Sequence, residues 1–231
     1  MFYFDPLYFV IVGPAIALTI WAQFKVKGTI AKYSKIATAR GLSGAETALA
    51  ILRHEGIGDV RVEETSGWLS DHYDPRSKTL RLSPDVYRNT SVSSVGIAAH
   101  EVGHAIQDAH HYAPLVLRST IAPVAMFGSN AAMFLLFIGF MVGALGMVKL
   151  GIILFATTVA FQLITLPVEI NASSRARAIL TESGIVTPNE ALGVGKVLNA
   201  AALTYVAAAV ASLTQLLYFI LRSGLLGSRD D

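Results

Sequence analysis

The sequence predicts a mainly α-helical membrane protein, with about four transmembrane helices and a small α+β subdomain inserted after the first. Three observations predict it. Hydrophobic residues make up 53% of the 231 and charged residues only 15%, against roughly a quarter charged in an average soluble domain. The shortage of charge is concentrated in runs long enough to cross a bilayer, which takes roughly 20 apolar residues in a helix. Between the first two runs lies a polar stretch, 25–118, that carries both helical and alternating patterns.

The first span, 7–24, is uncharged and ends at Lys25 and Lys27. Asp5 stands where the basic flank of a secretory leader belongs, and no small-residue cleavage site follows, so the run reads as a retained anchor. The second and third spans, 119–147 and 150–168, are interrupted only by Lys149, beside Gly143, Gly146 and Gly151. So short a connection makes them an antiparallel hairpin. Residues 169–196 are predicted helical, and the last span, 197–221, is rich in alanine. Small residues suit close helix packing in lipid, where apolar burial alone gives no preference for association. A soluble bundle of buried helices is the competing reading, and four runs of this length argue against it.

Within 25–118, Ser43 and Glu46 have capping-box spacing ahead of a helix at Ala45–Arg53, and Gly56 sits where a C-cap glycine would. Val60 and Val62 alternate with charged neighbours, as do Leu80 and Leu82, which predicts two short half-buried strands. His72-Tyr73-Asp74-Pro75-Arg76 between them reads as a turn. Thr90 or Ser91 can cap a helix over about 91–110, with Pro114 soon after its end. Twelve lysines and arginines fall in 25–118 and three in 169–196, against three elsewhere. Those near the spans place the polar subdomain in the cytoplasm by the positive-inside rule. The formal charge of +2 says little about partners, and the absence of cysteine excludes disulfides, thiolate ligands and a cysteine nucleophile.

His100-Glu101-Val102-Gly103-His104 is an H-E-x-x-H motif inside the 91–110 helix. Positions i and i+4 lie one turn apart on one face, so both imidazoles can reach a single metal ion. Glu101 is offset by one residue, beside the metal rather than on it. Zinc lowers the pKa of a bound water from 15.7 toward roughly 7, and a nearby carboxylate can then act as general base. The competing reading is a pair of core or surface histidines.

Catalytic zinc sites usually have three protein ligands and keep one position open. Glu169 is the strongest third candidate. The hairpin leaves the polar side near Ser119 and returns near Val168, which delivers Glu169 to the level of His100 and His104. An unpaired carboxylate directly after an apolar run would be costly, so an ordinary interfacial ion pair with Arg175 or Lys196 is the alternative. Small residues Ala172, Ser173 and Ala176 on one helix, and Gly96, Ala99 and Gly103 on the other, predict a close approach. Ser173 can accept the free N–H of a ligand histidine and so fix its tautomer. His72, Arg175 and Arg177 are candidates to stabilise an oxyanion, although each also suits a turn or an interfacial cation. His110 and His111 read as helix-end residues, and His54 as a surface histidine. The strand at Thr79–Ser83 could take a substrate backbone by strand addition, or serve structure alone.

These segments together resemble a known family, the YugP-like bacterial membrane zinc metallopeptidases. The resemblance is carried by Asp71–Arg76, Leu80-Arg81-Leu82-Ser83, Ala99–Gln107, Leu166-Pro167-Val168-Glu169 with Ala172-Ser173, and Ala200–Val206. It implies a multi-pass membrane peptidase with one zinc ion on His100, His104 and Glu169, and with Glu101 catalytic. The chain is more distantly similar to HtpX and CAAX-processing peptidases, whose glutamate ligand opens an E-x-x-A-D pattern. Here the fifth position is Ser173, so neither that carboxylate's role nor those enzymes' substrates carry over.

The expectation is therefore a zinc metallopeptidase of the cell membrane with a zincin-like subdomain. Its partners would be the lipid bilayer and a protein or peptide substrate, with no nucleic acid. A catalytically silent zinc-containing adaptor is the alternative, and retention of Glu101 argues against it. A transporter, suggested by Gln162 and Thr165 in a span, lacks the paired broken helices that class shows.

Overall fold

The computed structural model describes residues 5–225. Its elements run α1 (Pro6–Tyr33), α2 (Gly44–His54), β1 (Arg61–Glu64), β2 (His72–Asp74), β3 (Thr79–Leu82), α3 (Pro84–Arg88), α4 (Val92–Ala109), α5 (Ala113–Val142), α6 (Leu145–Glu182) and α7 (Pro188–Arg222). The chain is a mainly α-helical membrane protein, in which α1, α5, α6 and α7 are long and apolar enough to cross a bilayer. Two compact units divide it. One takes residues up to Ala22, 117–166 and from Thr204 on; the other takes 23–116 and 167–203.

The first unit is built from the long apolar helices. Met126, Phe127, Phe134 and Phe137 of α5 are all exposed, which in water would be a liability and in hydrocarbon is the favourable arrangement. Where α5 and α6 meet, the contact is close because it is lined by glycine: a Cβ on Gly151 would lie 2.7 Å from the Leu136 Cγ. The hairpin turns earlier than expected. Gly143 takes φ +69° directly after α5, a left-handed conformation glycine adopts without steric cost, and Lys149 lies inside α6 rather than in the connection. Asp5 accepts a 2.9 Å hydrogen bond from the Tyr218 hydroxyl and pairs with Arg222 at 3.3 Å, fastening the start of α1 to the end of α7.

The second unit packs helices around a three-stranded sheet of order β1-β3-β2. β1 runs parallel to β3, with Val62 opposite Leu80, and β2 runs antiparallel, with Tyr73 opposite Leu80. Two expectations are corrected here. The first three residues of the presumed turn, His72–Asp74, form a strand. β3 is central with a neighbour on each side, so it has no edge left for an added substrate strand. The pattern of Tyr73, an apolar ring between two polar residues, is too short to signal a strand by periodicity alone.

Local signals hold elsewhere in this unit. Ser43 and Glu46 make both bonds of a capping box, and Gly56 follows α2 at φ +69°. Ser91 caps α4 by accepting from the Ser94 N–H, while His110 closes its other end and His111 turns away at φ +50°. Asp108 in the last turn of α4 accepts from the Tyr73 hydroxyl at 2.9 Å and the Lys78 ammonium at 2.7 Å. Burial and the neighbouring Asp108 carboxylate push the Tyr73 phenol above its ordinary range, so it stays a donor and ties the sheet to α4.

The segment 169–196 is not one helix. α6 continues without a break from the apolar run to Glu182. It then ends at Gly184, φ +60°, with the Ile185 N–H bonded back to Leu180. Thr187 and Glu190 start α7 with reciprocal capping bonds, and Pro188 takes the first helical position, where no N–H is missed.

The approach of α4 to α6 depends on Gly103. A Cβ there would lie 2.7 Å from the Ala172 carbonyl oxygen and 3.1 Å from its Cα, both backbone atoms that cannot swing aside. Gly96, expected to share this face, meets Val194 of α7 instead. In a helix interior, replacing glycine by alanine ordinarily stabilises by about 0.5–1 kcal/mol. Gly28→Ala in α1, with open space around the new methyl, should follow that rule. Gly103→Ala should reverse its sign and cost about 1–3 kcal/mol by overpacking, read as a lowered melting temperature of the detergent-purified protein against the Gly28→Ala control.

Candidate metal centre

His100 and His104 face one side of α4 with ring centroids 4.8 Å apart and ring planes nearly perpendicular. Glu169 comes from α6 and is 2% exposed. Its Oε2 lies 3.1 Å from the Nε2 of His100 and 3.6 Å from the Nε2 of His104. One donor atom from each of the three falls within 4.8 Å of the others. The close approach at Gly103, one residue before His104, brings the two backbones near enough for this.

The outer nitrogens of both rings are tied down. Gln107, fully buried one turn after His104, uses its amide group to donate to the Val168 carbonyl at 2.8 Å and to the Asn171 Oδ1 at 3.0 Å. Its own carbonyl oxygen, left as acceptor, faces the Nδ1 of His104 at 3.0 Å. His104 must therefore carry its proton on Nδ1. The Nδ1 of His100 stands 3.1 Å from the Ser173 hydroxyl oxygen, a group able to accept from that nitrogen or donate to it. In the neutral state the Nε2 of His104 then turns a lone pair toward the Glu169 carboxylate.

That arrangement is repulsive unless a cation lies between. In the absence of a metal, a proton takes the role. Burial pulls the pKa of His104 down, but Glu169, Glu101 and Gln107 outweigh it, and the net shift is upward. Two imidazoles and one carboxylate are a common ligand set for zinc, with a fourth position open. The residues fit a divalent ion.

The sequence matches a protein family described as "Putative neutral zinc metallopeptidase" over residues 8–224. The chain belongs to this family. It is 52% identical, over 217 residues, to a Bacillus subtilis (strain 168) protein named "Putative membrane protease YugP", covering 94% of this chain and 96% of that one. No solved structure matches it. Membership of a zinc metallopeptidase family agrees with the donor set derived from the side chains.

The remaining candidates are placed as follows. Glu101 is buried on α4, and its charge reaches His104. Ser173 meets His100. The Nε of Arg175 donates to the Asn171 Oδ1 at 2.8 Å, so it backs the Gln107 network. Lining a cavity of about 630 Å³ between α6 and α7, Arg177 packs across Gly195 of α7. His72 is exposed at the start of β2 and bonds the Ser70 carbonyl. Among the described residues, Arg177 and His72 lie outside the hydrogen-bonded network around the three donors. Gln107 and Asn171 were given no role by sequence reasoning. The available signal was spacing: Gln107 stands at i+3 from His104, on the same helical face.

Loss of a group that orients a metal ligand typically lowers affinity about 10–100-fold. Gln107→Leu should lose zinc in that range relative to the parent, measured as metal retained during dialysis against graded chelator. Retention unchanged in a variant with normal circular dichroism would mean that packing alone orients His104.

Proposed function

We propose that the protein is a zinc-dependent endopeptidase of the cell membrane that hydrolyses peptide bonds in membrane-proximal proteins or peptides. The observation that carries this reading is the convergence of His100, His104 and Glu169, with Glu101 beside them on the same turn. Family membership and the four long apolar helices support it.

His100 and His104 would hold one zinc ion through Nε2 and Glu169 through a carboxylate oxygen. When bound, zinc supplies Lewis acidity that acidifies a water molecule and polarises the scissile carbonyl. Glu101 takes the proton as the water oxygen adds to the carbonyl carbon. It passes that proton to the amide nitrogen as the C–N bond breaks, which leaves a carboxylic acid and an amine. Ser173 and Gln107 keep both imidazoles in the tautomer that presents Nε2.

β2 offers a strand with one neighbour, β3, and it packs against α4. A substrate in extended form could pair with its other edge through backbone bonds, which favours flexible peptides over folded ones. The excess of lysine and arginine in 25–118 and 169–196 supports a cytoplasmic site by the positive-inside rule. Since the chain contains no cysteine, a single Arg76→Cys change in the exposed turn after β2 gives a clean reporter. A membrane-impermeant maleimide should label it only in permeabilised cells. Labelling in intact cells would reverse the orientation.

Glu101→Gln should retain zinc and lose cleavage of a quenched fluorescent peptide by about 10²-fold or more. Chelation should abolish the parent's activity, and added zinc should restore the parent but not the variant. A parent that keeps zinc yet cleaves nothing would favour a zinc-containing adaptor instead.

A further inference from the structure

We infer that the tip of the β1–β2 loop, Gly67-Trp68-Leu69, is a membrane-interface anchor that docks in the lipid headgroup layer beside α1. The loop presents two large apolar side chains to the outside, Trp68 at 58% and Leu69 at 39% exposure. The backbone is turned to do so: Gly67 has φ +110° and Leu69 has φ +54°. A left-handed conformation is uncommon for a residue other than glycine, asparagine or aspartate, and here it serves to hold a leucine outward.

The position of the tip names its partner. The ammonium of Lys27 lies over the Trp68 ring, 5.7 Å from its centroid. Lys27 is on α1, three residues after Phe24, where the uncharged run of that helix ends. At 1.5 Å per residue the two are about 5 Å apart along the axis. Trp68 therefore stands at the level where α1 leaves hydrocarbon and enters the headgroups. Phe24, 73% exposed, marks the apolar side of that boundary.

Tryptophan is enriched at this depth because its ring is apolar and its N–H is polar. Lys25 and Lys27 complement anionic lipid phosphates at the same level. Behind the tip, α1, α3 and α4 supply the walls of a small cavity of about 310 Å³, with Trp68 and Leu69 at its rim. The tip is thus backed by the subdomain that carries the metal centre.

The chain has two tryptophans, Trp21 and Trp68, so Trp21→Phe leaves the anchor as the only emitter. The full-length variant is reconstituted in vesicles of phosphatidylcholine and phosphatidylglycerol, containing lipids brominated either near the headgroup or near the chain terminus. Trp68 emission should be quenched by the shallow bromines more than by the deep ones, with little loss to iodide present on both faces. If Trp21→Phe fails to reconstitute, the same reading comes from the difference between the parent and Trp68→Phe. Emission untouched by either brominated lipid and freely quenched by iodide would overturn the inference, as would quenching strongest with deep bromines. The measurement does not depend on hydrolysis.

Discussion

A carboxylate almost fully removed from water faces the Nε2 atoms of two imidazoles, and much of the second unit is arranged to hold these three groups together. Burying Glu169 at 2% exposure is costly unless positive charge stands within a few ångströms. Sheet, caps and core hold α4 and α6 at the separation that lets one divalent ion satisfy three donors. Too wide a separation strands the carboxylate, and too narrow a one collides at Gly103. The glycine and the glutamate are therefore two halves of one constraint.

Orientation of the donors is a separate requirement, met through a chain of amides. Gln107 spends both amide hydrogens on α6, at Val168 and Asn171, and this leaves only an acceptor for His104. Because the fixing partners are on α6, the same contact that positions His104 also measures the distance between the helices. Arg175 closes the chain by donating to Asn171. A hydroxyl, Ser173, stands against the Nδ1 of His100. The distantly similar peptidases have aspartate at that position in their pattern.

How much was legible in the sequence follows from the range of each interaction. The H-E-x-x-H pair needs only helical periodicity, and its helix was bounded by a capping serine. Glu169 was reached by following the hairpin out and back, a topological step that needs no side-chain detail. Gln107 was not, because an uncharged amide in a helix has many uses and its partners are more than 60 residues away. The reading of 169–196 as one helical segment passed over the end of α6, which rests on Gly184 in a left-handed turn. The hairpin turn was shifted to Lys149 because a charge is conspicuous in an apolar run. The backbone turns where glycine permits it. Lys149, one turn into α6, has a long enough stem to carry its charge toward the interface.

The continuity of α6 has a consequence for the kind of substrate the proposed peptidase meets. Glu169 directly follows the uncharged run 150–168 on one unbroken helix. A soluble enzyme can drift to its substrate, whereas the proposed peptidase, carried by membrane helices, would meet chains held near the bilayer. For a peptide already held in the membrane, the translational cost of encounter is largely met by its own anchoring, as in any linked system with a high effective concentration. A free soluble peptide gains nothing of the kind. Selectivity for membrane-proximal segments, as proposed, would then require no dedicated recognition pocket.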